Sequence, residues 1–239
     1  MKFKPASGGL PDDPLVSVVM PVYNEPNTIH EIVRRIEESA VRKEIIAVDD
    51  RSTDGTTAIL EEMARAGRIR LFQHKINMGK GAAVRTGLKQ VKGDIVIIQD
   101  ADLEYDPSEY PQLIAPILKG RSKVVYGSRF LGEHKAMYFS HLVFNRSLNL
   151  LGNVLFDTTL TDMETCYKVF TADIAQRLQI HSNRWGIDPE ITAKILRMGN
   201  RIYEVPISYT GREHWEGKKI SWRDGLSVIL ALVRYRFVD

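Results

Sequence analysis

The amino-acid sequence predicts an α/β fold with a mostly parallel, doubly wound sheet flanked by helices. First, short apolar runs rich in β-branched residues alternate with segments of helical periodicity through the first half of the chain. Strands that alternate with helices in this way usually pair in parallel. Second, these runs end in polar or acidic residues. Ligands of such sheets bind beyond the carboxyl ends of the strands, so a binding site is expected there.

The order of the elements follows from the same patterns. Pro21 is expected to end the first strand, and Asn27 or Thr28 to cap the helix that follows it. Pro206 favours an edge position for the last strand. The predicted elements are strand 15–21, helix 29–41, strand 44–48, helix 57–66, strand 69–72, helix 82–89, strand 95–98, helix 108–119, strand 123–129, helix 142–155, strand 166–170, helices 172–181 and 190–198, and strand 201–207.

The fourth strand runs directly into three carboxylates at alternate positions, Asp100, Asp102 and Glu104. Carboxylates this close repel one another, and some stay protonated unless a cation joins them. Hard divalent cations prefer oxygen ligands. The sequence therefore predicts an Mg²⁺ or Mn²⁺ site on these three residues, and an acidic turn before a helix is the alternative.

Composition excludes several classes of protein. Of 239 residues, 44% are hydrophobic and 26% are charged, as in a soluble globular protein, and a net charge of +3 does not indicate nucleic acid. The single cysteine, Cys166, rules out an internal disulfide and is expected in the core. No apolar run approaches the length of a membrane span, and no signal peptide is visible, so a cytoplasmic location is expected. No glycine motif of a dinucleotide site or P-loop follows the first strand.

Three segments are expected: a flexible leader at residues 1–14, a catalytic domain at 15–220 and a C-terminal amphipathic helix at 221–239. The last carries an apolar stripe, Trp222, Leu226, Ile229, Leu230, Val233 and Phe237, broadened by Val228, Ala231, Leu232 and Tyr235 and flanked by arginines. Amphipathicity alone does not decide whether this stripe packs on the domain, pairs with a second copy or lies on the inner, anionic face of a membrane.

A set of motifs recurs in order between residues 15 and 220. They are Pro21-Val-Tyr23-Asn24-Glu25, Val48-Asp49-Asp50-x-Ser52-x-Asp54-Gly55, Asn77-x-Gly79-Lys80-Gly81, Asp100-Ala101-Asp102, Gly127-Ser128-Arg129 and Val205-Pro206-Ile207. Together they resemble glycosyltransferase family 2. Within that family the sequence is most similar to the dolichyl-phosphate mannose synthases and related polyprenyl-phosphate glycosyltransferases.

The resemblance implies a GT-A fold and an inverting transfer of a hexose from a nucleotide diphosphate sugar, of the GDP-mannose or UDP-glucose type, to a polyprenyl or dolichyl phosphate. It also implies a divalent metal, Mg²⁺ or Mn²⁺, on Asp100, Asp102 and Glu104. The implied donor-binding residues are Pro21, Tyr23, Glu25, Val48, Asp50, Lys80, Asp100, Ala101, Asp102, Arg212 and Lys219. The implied catalytic residues are Asp102, Arg129, Asp162, Glu164 and Arg212. The late loop departs from the family pattern: it is longer by one residue and has Lys218 in place of serine.

The acceptor decides whether a general base is needed. A phosphate monoester is largely ionised at neutral pH and attacks without one, whereas a sugar hydroxyl needs a positioned base. Asp162 or Glu164 is the candidate base, and either can equally orient Arg129 or the donor sugar. Arg129 and Arg146 together favour an anionic acceptor, although Arg146 also fits a surface charge on a helix.

Other interpretations remain open at this point. Lys80 fits a phosphate contact or a helix-entry turn, and Trp185 with Asp188 fits a sugar pocket or simple packing. Transfer to a soluble hydroxyl acceptor is the alternative enzymatic function. A non-catalytic nucleotide-sugar-binding or scaffold protein is the alternative of another class.

Overall fold

The computed structural model describes residues 10–212 and 222–238. In this part of the chain one sheet of seven strands has the order β3-β2-β1-β4-β6-β5-β7. The strands are β1 Val16–Val22, β2 Lys43–Asp49, β3 Arg70–Gln73, β4 Ile95–Ile98, β5 Val124–Ser128, β6 Lys168–Thr171 and β7 Tyr203–Pro206. The helices are α1 Ile29–Glu38, α2 Thr56–Arg65, α3 Lys80–Leu88, α4 Tyr110–Leu118, α5 Phe139–Phe156, α6 Ala172–Arg177, α7 Ile187–Arg197 and α8 Trp222–Phe237.

The prediction of a mostly parallel sheet is confirmed. β1 pairs in parallel with both β2 and β4, β2 with β3, and β5 with β7. β6 is antiparallel to β4 and β5 and lies between them. The sequence did not predict this insertion, because a short buried apolar run reads the same in either direction.

Several predicted boundaries were wrong: α1 and α6 end three and four residues earlier than expected, α5 and α7 begin three residues earlier, and the end of β1 and the start of α3 also differ. β1 continues through Pro21, which pairs in register with Val48. α3 begins at Lys80, two residues earlier than expected, and Gly79 precedes it with φ of 97°. Thr28 does precede α1, but its hydroxyl donates to the carbonyl of Ala101 at 2.7 Å instead of capping the helix.

The main core lies on both faces of the sheet. The strand residues of β1, β4, β5 and β6 are buried almost throughout, and α1 contributes Ile29, Ile32, Val33 and Ile36 from one face. Each such side chain contributes about 1.5–3 kcal/mol by leaving water. Cys166 is buried, as predicted.

A second, smaller core joins α8 to α5. Leu148 and Met163 pack with Val228 and Leu232, and Gly152 approaches Met163 so closely that an added Cβ would lie 2.1 Å from its Cε. The C-terminal helix therefore packs on the domain through Val228, Ala231, Leu232 and Tyr235. Among the described residues, no helix is both long and apolar enough to cross a membrane.

Candidate active site

Three polar loops meet beyond the carboxyl ends of β1, β2 and β4. The amide of Asp50 donates to the carbonyl of Val22 at 2.8 Å, which joins the second loop to the first. Thr28 joins the first loop to the acidic loop, because its hydroxyl contacts both Glu25, at 3.1 Å, and the carbonyl of Ala101. The strand order places these loops side by side, as the sequence predicted.

The three carboxylates of the acidic loop have different partners. Asp100 accepts from the ammonium of Lys80 at 2.7 Å. Glu104 accepts from the hydroxyl of Tyr209 at 3.0 Å and from the amide of Arg212 at 2.8 Å. In the part of the chain that the structure describes, no cation pairs with the carboxylate of Asp102, which accepts from the amide of Glu104 at 3.2 Å. Burial, and then the charges of Asp100 and Glu104, raise the pKa of Asp102 to about 8.

The chemistry of this loop fits a divalent cation. Crowded carboxylate oxygens with a raised pKa are the environment that a hard cation relieves. Within residues 10–212 and 222–238, however, no three His, Cys, Asp or Glu side chains are grouped closely enough to hold a metal ion. Asp100 is drawn to Lys80 and Glu104 to Tyr209. The three-residue metal set therefore stays a prediction.

Asp50 holds the glycine-rich loop, residues 77–81, in place. Its two oxygens accept from the amides of Met78, at 2.8 Å, and Gly79, at 2.6 Å, and one also contacts Nδ1 of His74 at 2.7 Å. The other ring nitrogen of His74 contacts the hydroxyl of Thr86 at 2.9 Å. Asp50 is buried and its oxygens are occupied, so direct contact between Asp50 and a nucleotide base stays a prediction.

Lys80 begins α3 and faces the acidic loop. Burial opposes its charged form, but the neighbouring Asp100 raises the pKa of Lys80 well above its ordinary value. The ring of Trp185 lies 5.9 Å from the ammonium. Lys80 therefore remains a cation beside Asp100, where an anionic phosphate of a donor would be attracted.

Arg129 and Asp162 form a buried ion pair at the end of β5. The guanidinium donates from Nε and Nη2 to the two carboxylate oxygens of Asp162, each at 2.7 Å, and the amide of Arg129 adds a third bond at 3.0 Å. Glu204 of β7 accepts from the amides of Thr161 and Asp162 and fixes that segment. This geometry matches the alternative in which Asp162 orients Arg129.

Glu164 lies in the same region as this ion pair. Its Oε1 atom is buried and has no hydrogen bond among the described residues. Burial, and then the charge of Asp188, raise the pKa of Glu164 to about 8. Asp188 itself pairs with the buried ammonium of Lys168 at 2.6 Å. Burial at this position therefore favours the protonated form of Glu164.

The remaining predicted residues occupy varied positions. Arg212 pairs with Glu25, and its Nε donates to the carbonyl of Asp102 at 3.0 Å. Pro21, within β1, and Tyr23, just after it, are partly exposed, whereas Val48 and Ala101 are buried, so the latter two can reach a ligand only through their backbones. Lys219 lies outside the described residues.

Several contacting residues were missed by sequence reasoning. Thr28, Tyr209 and Glu204 each bridge segments that lie far apart in the chain. Only Tyr209, an aromatic residue shortly after the last strand, carried any signal. The others resemble ordinary polar residues of a helix start and an edge strand.

The fold and the acid-rich carboxyl edge of the sheet define a GT-A glycosyltransferase. The structure superposes on glucosyl-3-phosphoglycerate synthase from Mycobacterium tuberculosis, solved with Mn²⁺, uridine diphosphate and phosphoglyceric acid. The TM-score is 0.73 at 21% identity, covering 95% of this chain and 80% of that one, and this likeness shows the fold alone. The sequence model described as glycosyl transferase family 2 matches residues 17–178. The chain belongs to that family.

Two curated relatives carry informative names. A dolichyl-phosphate β-glucosyltransferase of Trichomonas vaginalis is 30% identical over 240 residues, covering 92% of this chain and 72% of the relative. An undecaprenyl-phosphate 4-deoxy-4-formamido-L-arabinose transferase of Pseudomonas fluorescens is 31% identical over 214 residues, covering 85% of this chain. The match spans only 59% of that second relative. The names of both relatives describe glycosyl transfer to a polyprenyl phosphate.

Proposed function

We propose that this protein transfers a hexose, with inversion, from a nucleotide diphosphate sugar to a polyprenyl phosphate. The assignment of a phosphate acceptor rests on two arginines whose guanidinium groups lie over one aromatic ring. The guanidinium carbon of Arg146 lies 4.8 Å from the ring centre of Phe130, and that of Arg129 lies 5.9 Å from it. The names of the two curated relatives support the same acceptor class.

The two arginines differ in how much charge they offer. Two nitrogens of Arg129 donate to the carboxylate of Asp162, so the charge of Arg129 is largely neutralised. Arg146 is exposed and forms no ion pair within the described residues. Arg146 therefore supplies the uncompensated positive charge, and Arg129 supplies rigidly oriented N–H donors. This combination suits a phosphate group, which accepts several hydrogen bonds from guanidinium groups.

The reaction then needs no general base for the acceptor. A phosphate oxygen carries its negative charge near neutral pH, because the second pKa of a phosphate monoester is about 6. This oxygen attacks the anomeric carbon while the bond from that carbon to the diphosphate oxygen breaks. The diphosphate leaves with the bonding electrons, and the single displacement inverts the anomeric carbon. The raised pKa of Glu164 is compatible with this scheme, since a protonated Glu164 does not repel the acceptor phosphate.

Residues of the three carboxyl-edge loops hold the donor in this proposal. Tyr23 and Glu25 line the nucleotide side, and Lys80 and Arg212 bring positive charge toward the diphosphate. Asp102, with Asp100 and Glu104, would hold Mg²⁺ or Mn²⁺, which neutralises charge on the departing diphosphate when bound. In the described residues, Arg212 lies over the acidic loop through its contact with the carbonyl of Asp102.

The test is a transfer assay with radiolabelled GDP-mannose and UDP-glucose, Mn²⁺ and a short polyprenyl phosphate. Arg146→Glu should lower transfer to the lipid phosphate at least about tenfold and leave slow hydrolysis of the donor unchanged. Arg121→Glu is the matched control, because Arg121 is exposed and precedes β5, at the end of that strand opposite to Arg129. Equal transfer by both variants would contradict the phosphate acceptor. Absence of both transfer and hydrolysis in the unmodified enzyme would favour the non-catalytic alternative.

Transfer to a soluble hydroxyl acceptor is the second candidate, and the unbonded oxygen of Glu164 favours it. A carboxyl group with a pKa near neutrality is suited to take the proton of a hydroxyl. Glu164→Gln should abolish transfer to a sugar alcohol but spare transfer to a lipid phosphate. The loss of both activities, or of neither, would remove the base role.

We also propose peripheral contact with an anionic membrane through α5. Phe139, Val143, Leu150 and Val154 recur on one face of this helix, and all four are exposed. No Asp or Glu lies between Glu133 and Asp157, so the face carries no negative charge. Leu230, Val233 and Phe237 of the neighbouring α8 are exposed as well. Such a surface suits the headgroup boundary of a membrane.

Flotation with vesicles of phosphatidylcholine and phosphatidylglycerol tests this contact. Leu150→Glu with Val154→Glu should abolish flotation, and Glu62→Gln, on the exposed side of α2, should leave it unchanged. Flotation that survives the double substitution would contradict the proposal. Concentration-dependent dimerisation that is lost in the same variant would assign the face to a second copy instead.

A further inference from the structure

A cleft of about 660 Å³ opens on the outer side of the glycine-rich loop. Its walls come from the loop at residues 76–78, the segment at 182–186 and the C-terminal half of α8. A volume of this size is typical of ligand pockets. None of the candidate donor or acceptor residues lines it, so the proposed transfer reaction leaves this cleft without a role.

The lining is apolar and basic. Ile76, Met78 and Leu230 are large apolar residues that remain exposed at the cleft, at 68%, 37% and 60%. Arg184 and Arg234 supply two positive charges, and no Asp or Glu is among the lining residues. Arg184 forms no ion pair in the part of the chain that the structure describes, and the guanidinium carbon of Arg234 lies 5.6 Å from the ring centre of Tyr235. Neither charge therefore has a carboxylate partner within residues 10–212 and 222–238.

The floor of the cleft is held rigidly. The carbonyl of Asn183 accepts from the amide of Ala82 at 3.1 Å, and Arg85 donates to the side chain of Asn183 at 2.8 Å. Gly79 and Gly81 lie so close to this segment that an added Cβ would meet the carbonyl oxygens of Asn183 and Ser182. On the other side, Asp50 fixes the amide of Met78. A site held in this way on two sides is pre-organised, and less ordering entropy is lost when a ligand binds.

We infer that this cleft binds one anionic lipid molecule by its phosphate-bearing headgroup. The phosphate lies between Arg184 and Arg234, which suits the preference of guanidinium groups for phosphate. The first part of the lipid chain covers Ile76, Met78 and Leu230 and removes their apolar surface from water. A lipid satisfies both halves of this lining, whereas a free phosphate would leave the apolar wall exposed and a neutral lipid would leave two arginines unpaired.

The inference stands apart from the proposed reaction and is tested without donor or acceptor. Isothermal titration calorimetry with dihexanoyl phosphatidylglycerol, below its micelle-forming concentration, measures binding of single lipid molecules. Dihexanoyl phosphatidylcholine and glycerol 3-phosphate are the comparison ligands. The first keeps the acyl chains but has no net charge, and the second keeps the anionic phosphate but has no acyl chains. The charge reversal Arg184→Glu with Arg234→Glu should weaken phosphatidylglycerol binding at least about tenfold. Arg121→Glu makes the same kind of change at a remote site and should have no effect.

Leu230→Asp separates the apolar part of the site from the charged part. It should weaken phosphatidylglycerol and leave any weak binding of glycerol 3-phosphate unchanged. Three results would overturn the inference: equal binding by the double charge-reversal variant, equal binding of phosphatidylcholine, or glycerol 3-phosphate binding as tight as that of the lipid. Thermal unfolding of each variant confirms that it is folded, which is expected because all three substituted side chains are exposed.

Discussion

Arg212 and Glu25 face each other as a two-point ion pair across the acidic loop. Nη1 of Arg212 lies 3.1 Å from Oε1 of Glu25, and Nη2 lies 2.7 Å from Oε2. Their side chains are only 17% and 11% exposed. Since Nε of Arg212 also donates to the carbonyl of Asp102, this one side chain joins the first loop, the acidic loop and the late segment. The pair thus links residues near the two ends of the predicted catalytic domain, at the proposed donor site.

Glu25→Gln is expected to loosen this connection. The neutral amide keeps the shape but loses the charge-assisted bonds, which are worth about 1.5–3 kcal/mol when shielded from water. We expect donor affinity, measured by titration with GDP-mannose and UDP-glucose, to fall about tenfold. Glu38→Gln breaks an exposed pair with Arg34, away from the donor site, and should leave donor affinity unchanged.

A double-mutant cycle with Arg212→Gln shows whether the two residues act together. If they do, the double variant should be little worse than either single variant, because residues in direct contact are not additive. Additive losses in donor affinity would mean that Glu25 and Arg212 act separately.

Asp162→Asn should destabilise the protein strongly. It removes the carboxylate that neutralises Arg129, whose side chain is 10% exposed, and leaves a buried charge without its partner. Breaking a buried pair in this way costs about 3–5 kcal/mol. Urea unfolding followed by circular dichroism measures the change.

The double variant Arg129→Met with Asp162→Leu is the informative comparison. It removes both charges and should be more stable than Asp162→Asn alone, since no unpaired charge remains. It should nevertheless be inactive with a polyprenyl phosphate. A double variant that is less stable than the single one would show that the segment depends on the pair for its shape.

The sequence predicted what depends on local pattern. Alternating strands and helices placed the polar loops together at one edge, and the structure confirms that arrangement. Pro21 shows where local rules are insufficient. The carbonyl of Val22 faces β2 and that of Val19 faces β4, so Pro21 faces β4, whose pairing with β1 ends at Ile98. Its missing N–H therefore interrupts no ladder, and the strand continues.

Partner choice at the site was not readable from the sequence. Asp50 accepts from backbone amides at residues 78 and 79, and Glu204 accepts from those at 161 and 162. A backbone amide has no sequence identity, so nothing in the spacing of the acids indicates which of them bind backbone and which face a ligand. The motif at residues 48–55 thus predicted the position of its own loop correctly. It did not reveal that the amides of residues 78 and 79 occupy the carboxylate of Asp50.

Gly79→Ala should damage the donor site through the backbone. Gly79 has φ of 97°, and an added Cβ would lie 2.4 Å from the carbonyl oxygen of Asn183. The loop must move, and the bond from its amide to Asp50 is then strained. We expect a loss of stability of at least about 2 kcal/mol together with weaker donor binding.

Gly67→Ala is the matched control for that substitution. Gly67 also has a positive φ, 73°, but no atom lies within 4 Å of an added Cβ. It should cost only the intrinsic penalty of the left-handed conformation, about 1–2 kcal/mol, and leave donor affinity unchanged. Equal donor affinity in the two variants would contradict a role for the Gly79 loop in donor binding.

Glu164 should give the protein a specific pH dependence of stability. Burial raises its pKa from 4.5 to about 8, so between these values the folded protein holds a proton that the unfolded chain has released. The free energy of unfolding therefore falls as the pH rises through this range. The stability that the protonated Glu164 contributes is fully present only below about pH 4.5. Glu164→Gln removes the titration and should gain stability relative to the unmodified protein as the pH rises. From pH 5 to pH 8 this relative gain is at most about 4 kcal/mol.

Urea unfolding of both proteins at several pH values measures this gain, with the exposed Glu62→Gln as a control that should show no trend. A relative stability of Glu164→Gln that stays constant with pH would mean that Glu164 is ionised in the folded protein, with a cation or solvent at its free oxygen.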